Sequence, residues 1–240
     1  GFTESIALTS NFILIAAPYY DGSAGVVNIY HRATGNPAGS LTLPDSAGKS
    51  MFSNALQTWG DIIAIGAPRD ATVSEQGTGA VYLYQDTGTK IAPLIVIRPT
   101  ADQNALEFGH TLDINNGRIF IGDPKHYRTG RKDIPRGKVW LYTLGEDDAA
   151  PNLIGGADDP EGIHGYSFAR TVALGENFAA TTHMVHRILY IFDVSDNQLN
   201  LAQRIEIPRN TAPMLPRLAT FHEDDLYYGN PNQSSDATMY

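Results

Sequence analysis

The side chains in this 240-residue sequence that could do chemistry are seven histidines and several adjacent pairs of acids. His183 and His186 lie three apart beside an apolar alternation, so they are expected to point to opposite faces of a strand and not to share a metal. Asp147-Asp148, Asp158-Asp159 and Asp224-Asp225 look like paired carboxylates, but all lie in polar turns where solvated acids are ordinary. With no cysteine there is no thiolate nucleophile, disulfide or zinc–thiolate site. A Gly-x-Ser-x-Gly elbow and a glycine-rich phosphate loop are also missing. No catalytic residue, metal ligand or cofactor site is assigned. The most distinctive cluster is basic: Lys125, His126, Tyr127, Arg128, Arg131, Lys132, Arg136 and Lys138 fall within one fourteen-residue stretch. Such a stretch is either a solvated loop or a contact surface for an acidic partner or anionic glycan.

That basic stretch belongs to an acidic protein, with a formal net charge of −9. Phosphates would be repelled, which argues against nonspecific nucleic-acid binding. No apolar run approaches the roughly 20 residues of a membrane helix, and the segment around Phe12–Ala17 reads as a buried strand. A hydrophobic content of 42% is enough for a substantial core, and 23 glycines with 14 prolines imply frequent turns.

The elements that must position any site repeat along the chain. Phe2–Pro18, Phe52–Pro68 and Phe108–Pro124 align without gaps, each spanning sixteen positions from Phe to Pro. A polar turn falls at the same place in each: Ser10-Asn11, Gly60-Asp61 and Asn116-Gly117. Each segment is followed by a loop, then an alternating strand ending in an aromatic, at Tyr30, Tyr84 and Tyr142, and then a further short strand. A degraded fourth copy begins near Gly165 and reaches Phe192, and a partial fifth places Leu215 sixteen before Pro231 and ends at Tyr240. The unit is therefore four short strands in about 50 residues. One such sheet cannot bury both faces, whereas radial stacking of several does. A β-sandwich would have no need of the recurring spacing. The expected fold is all-β, with four-stranded antiparallel blades at approximately 1–48, 49–104, 105–160, 161–211 and 212–240 in one propeller domain. Inner strands are expected to start near Phe2, Phe52, Phe108 and Tyr166.

At these residues the sequence resembles the FG-GAP repeats of integrin α-chain heads. Phe108-Gly109 supplies the FG, and Gly66-Ala67-Pro68 a full GAP. Ala16-Ala17-Pro18, Gly122-Asp123-Pro124 and Gly229-Asn230-Pro231 are variants of it, and Gly79-Ala80-Val81-Tyr82-Leu83-Tyr84 matches the third strand. The resemblance implies a seven-bladed ring of which about five blades are present, with the chain open and continuing rather than closed on itself. It also implies a non-catalytic protein- or glycan-binding or scaffolding module of a cell-surface, extracellular or filament-type assembly. The ligand face would carry the loops between second and third strands, which begin here with Tyr19-Tyr20-Asp21, Arg69-Asp70 and the basic stretch. Calcium-binding blades of the family carry an Asp-rich turn, and only Asp113-Ile114-Asn115-Asn116-Gly117 faintly resembles it. The alternative, a five-bladed glycoside hydrolase, needs matched acids on inner strands around a funnel. Only Glu4 and Asp113 fall on the aligned first strands. Asn232-Gln233-Ser234 is a glycosylation sequon, usable in a secretory setting.

Overall fold

The structure is a computed structural model that describes residues 5–43, 49–71, 78–100, 105–126, 136–145, 150–162, 168–207, 218–222, 225–229 and 238–239. The first blade has β1 (Ile6–Leu8), β2 (Phe12–Ala17), β3 (Val26–His31) and β4 (Pro37–Leu41). A four-residue helical turn α1 (Tyr20–Ser23) joins β2 to β3, and positive φ at Asp21 and Gly22 makes it a reversal, not a helix that could extend. The second blade holds β5 (Ala55–Trp59), β6 (Ile62–Ala67), β7 (Ala80–Asp86) and β8 (Ile91–Ile97). The third holds β9 (Thr111–Asn115), β10 (Arg118–Asp123), β11 (Lys138–Thr143) and β12 (Asn152–Asp158). The fourth holds β13 (Phe168–Leu174), β14 (Phe178–His183), β15 (Ile188–Asp193) and β16 (Asn200–Glu206). β17 (Leu218–His222), β18 (Asp225–Gly229) and β19 (Thr238–Met239) form a three-stranded sheet. Every sheet is an antiparallel meander in chain order. The innermost strands follow one another, β1 against β5, β5 against β9, β9 against β13 and β13 against β17.

The Phe of the repeat is not the first residue of its strand. β5 and β9 begin three residues after Phe52 and Phe108, and both rings are completely buried between blades. Pairing register corrects the fourth copy. Val172 opposite Thr181 matches Leu56 opposite Ile65 and Leu112 opposite Ile121, which makes Phe168, not Tyr166, the counterpart of Phe108. The sixteen-residue spacing then ends on Met184, where the other copies have Pro.

Glycine placement explains why the repeat is so strict. Gly25, Gly79 and Gly137, each just before a third strand, have φ of +86°, +81° and +81°. A methyl group there would collide with the carbonyl of Phe52, Phe108 or Phe168 on the next blade. Phe52 N–H donates to Ala24 O at 3.1 Å, and Phe108 N–H to Thr78 O at 3.2 Å, so the same contact carries a backbone hydrogen bond. A β-bulge recurs in each full blade beside the anchor aromatic, at Tyr30, Tyr84, Tyr142 and Phe192. Bulges sharpen strand twist.

The core lies between blades. Phe12, Leu14, Val27, Phe52, Ile63 and Ile65 fill the first interface, and Val81, Leu83, Phe108, Ile119 and Trp140 lie in the second. Phe120, Leu141, Phe168, Tyr190 and Phe192 lie in the third. The leading face of the first blade differs. Ile6 is 61% exposed, whereas its counterparts Leu56, Leu112 and Val172 are 3%, 4% and 7% exposed.

Candidate functional site

Loops between second and third strands and the connectors between blades meet on one face, around a mouth of about 520 Å³. Tyr19, Arg69, Lys125 and Val185 are register equivalents, each following the position of the repeat Pro. Three of them line the mouth, and Val185 follows Met184, which does too. Tyr19 and Tyr20 are exposed, and Asp21 is exposed on the reversal beside them.

Glu107 organises this mouth. It lies in the connector before β9 and is 5% exposed. Its Oε1 is 2.5 Å from Lys125 Nζ and its Oε2 is 3.3 Å from His110 Nδ1. Arg69 Nε stands 3.9 Å from Oε1, beyond hydrogen-bond reach. Burial opposes its charge, but His110 and Lys125 outweigh burial and hold the carboxyl at about 2, so Glu107 is ionised. Beneath it, the fully buried Asp123 accepts N–H bonds from Leu106, Glu107 and Lys125 at 3.1, 3.0 and 3.2 Å. That carboxylate clamps the two loops that carry Glu107 and Lys125. Burial nevertheless pushes Asp123 up to about 7.

Two residues expected at the ligand surface are structural instead. Asp70 is 2% exposed and accepts bonds from Tyr82 Oη at 2.5 Å and Arg98 Nη1 at 2.7 Å. It fastens its loop to β7 and to the residue after β8, and Tyr82 is pushed up to about 12 by burial and by Asp70. His126 is 4% exposed, with its ring edge-on to Trp140 at 5.7 Å. Burial, aided by Lys138, holds it down at about 4, with Asp158 opposing. Arg136 is half-buried and donates its backbone N–H to His126 O at 3.0 Å. Tyr127, Arg128, Arg131 and Lys132 lie outside the described residues, as does Asp147-Asp148.

The expectation that His183 and His186 point to opposite faces fails. Met184–Arg187 form a turn with Arg187 at φ +56°, which folds His186 back so that the two rings meet at 4.7 Å. His183 Nδ1 accepts the His186 N–H at 3.2 Å, leaving Nε2 toward Asp159 Oδ2 at 3.5 Å. Asp159 is 5% exposed rather than solvated. His183 is drawn inward because it occupies the register position of Ala67 and Asp123.

The turn that faintly resembles a calcium loop stitches blades together. Asp113 accepts the N–H of Leu174 at 2.8 Å and that of Ile114 at 2.9 Å, while Asn115 Nδ2 donates to Leu174 O at 3.2 Å. Burial raises Asp113 to about 6. Among the described residues no group of three His, Asp or Glu side chains could hold a metal.

On the opposite face a cavity of about 650 Å³ is lined by Trp59, Leu94, Ile95, Arg118 and Leu144, with Glu176 and Asn177 among its other walls. Arg118 is spent there, donating to the backbone carbonyls of Val194 and Glu176. The loop-face mouth, with ionisable groups from three blades, is the better candidate. Sequence reasoning reached Tyr19 and Arg69 but missed Glu107, His110, Arg170 and the two methionines, Met51 and Met184. The signal for His110 and Arg170 was register: with Asn54 they occupy the position before the inner-strand core in successive blades.

No family model matches the chain, and no curated protein does. Its fold is similar to that of the WD40 domain of Toxoplasma gondii coronin, with a TM-score of 0.56 and 12% identity. The likeness covers 93% of this chain and 51% of that one, so the chain spans about half the length of that structure. Together with the repeated four-stranded sheets, this defines the class: the chain is a β-propeller of four-stranded blades.

Proposed function

We propose that this propeller is a non-catalytic docking module of the FG-GAP, integrin-like kind, working at a cell surface or outside the cell and binding a protein partner at its loop-face mouth. The observation that carries this is the convergence of exposed Tyr19, half-exposed Arg69 and Met184, which is followed by exposed Val185, from equivalent loops of three blades around one opening. Aromatic and arginine side chains on loops held by a rigid scaffold are common interface anchors. Hydrolysis of glycosides draws less support. Glu107 is the one carboxylate among the described residues lining the mouth, and it is ion-paired and ionised. Acid–base cleavage needs a second carboxyl and a protonated acid.

The test compares two sets of surface variants. Tyr19→Ala with Val185→Ser should reduce retention of a native partner at least tenfold, while Trp59→Ala on the opposite face leaves it unchanged. The reverse pattern would move the interface to the far cavity. The setting is checked separately by a glycosidase-sensitive mass shift at Asn232.

A further inference from the structure

We propose that the loop-face mouth takes an acidic peptide segment flanked by apolar side chains, with its carboxylate held by Arg69 and Arg170. The proposal rests on the docking reading above and names the chemistry of the partner.

The first observation is charge. Among the described residues lining the mouth, Arg69, Lys125 and Arg170 are cationic and Glu107 alone is acidic. The local sign is therefore opposite to the net −9 of the whole chain. Glu107 is already committed to Lys125 and His110, and its side chain is only 7% exposed. Among the described residues the Arg69 side chain makes the long 3.9 Å approach to Glu107, and it is 52% exposed. A guanidinium carries five N–H donors in a planar fork that matches a carboxylate. An incoming carboxylate therefore meets a lining whose one acid among the described residues is buried and already paired, and to which Arg69 and Arg170 both contribute guanidinium donors.

The second observation is the apolar part of the wall. Tyr19, Met51 and Met184 line the same cavity, and Val185 beside it is 70% exposed. Thioether and aliphatic groups suit protein side chains better than sugar hydroxyls, and methionine adapts to varied partners. This favours an acidic peptide over a sulfated glycan, which would need cations without the aliphatic wall.

The experiment measures anisotropy of a fluorescein-labelled (Glu-Leu)4 peptide and its (Gln-Leu)4 counterpart at about 50 mM salt, where exposed charges are weakly screened. Wild type should prefer the Glu peptide by at least tenfold. The Arg69→Ser/Arg170→Ser double variant should lose at least tenfold for the Glu peptide and show no preference. Lys125 is left intact because removing it would strand the buried Glu107. Far-ultraviolet circular dichroism should superpose for all variants. Equal affinity for both peptides, abolished by Tyr19→Ala, would overturn the acidic class while leaving the loop face as the docking site. A heparin oligosaccharide that binds through the two arginines where neither peptide binds would overturn the proposal in favour of a glycan. Peptide binding indifferent to both arginines and to Tyr19 would overturn this proposal and the docking site together.

Discussion

Several acids among the described residues hold loops together, and His126 is packed beneath one. Asp70, Asp123 and His126 are nearly or fully buried, and each satisfies or crowds a neighbour instead of meeting solvent. None of this was legible from residue type, because burial of a polar group depends on what a distant strand brings to it. Asp70 reads as a surface acid until Tyr82 and Arg98 close over it. His126 gives the sharpest residue-scale expectation. Its folded value of about 4 lies below the roughly 6.5 of an unfolded histidine. The unfolded chain therefore binds more protons between these values, and His126 favours the fold fully above about pH 6.5 and loses that contribution as pH falls toward 4. The full difference is on the order of 3 kcal/mol. Urea denaturation of wild type and His126→Gln at pH 7 and pH 4.5 should show a smaller acid-induced loss in the variant. Equal losses would mean that the imidazole is solvated.

At the scale of the element, the blade was readable from the sequence because its constraints are local and repeat. The Phe-to-Pro spacing, the polar turn and the anchor aromatic set strand order and register without knowledge of contacts. The fourth copy was misplaced by two residues, at Tyr166 instead of Phe168, because its Pro is Met184 and its glycine position is Ala169 at φ +63°. Degraded punctuation hides a register that pairing keeps. The glycines before the third strands test this account. Gly79→Ala combines a φ of +81° with collision against Phe108 O, and strain of this kind costs about 1–3 kcal/mol before the clash is counted. Gly155→Ala, where an added methyl meets nothing within 4 Å, should change stability by less than about 0.5 kcal/mol. Thermal or chemical denaturation of the two variants side by side checks the contrast. Equal effects would contradict the interblade role of Gly79.

For the whole molecule, the sequence conveyed radial stacking but not which surfaces stay open. Ile6 and Leu8 on β1 are 61% and 49% exposed, whereas Leu56, Leu112 and Val172, the counterparts of Ile6 in later blades, are buried against a preceding sheet. An exposed apolar face promotes association. The 240-residue chain carrying Ile6→Lys and Leu8→Lys should sediment with less concentration-dependent association than wild type and keep its stability within about 0.5 kcal/mol. A large loss of stability would show that these side chains are packed. The candidate site was legible in part for the same reason. Tyr19 and Arg69 stand at a repeated position, whereas Glu107 lies in a connector with no repeated signature and is found only once the blades are assembled. The central claim, docking at the loop-face mouth, is tested most directly by placing a photo-cross-linking phenylalanine analogue at Tyr19 and, in a second protein, at Trp59, then irradiating each with the native binding partners present. The account expects a discrete adduct from position 19, suppressed by excess unlabelled wild type, and none from position 59. Adducts from position 59 alone would contradict it.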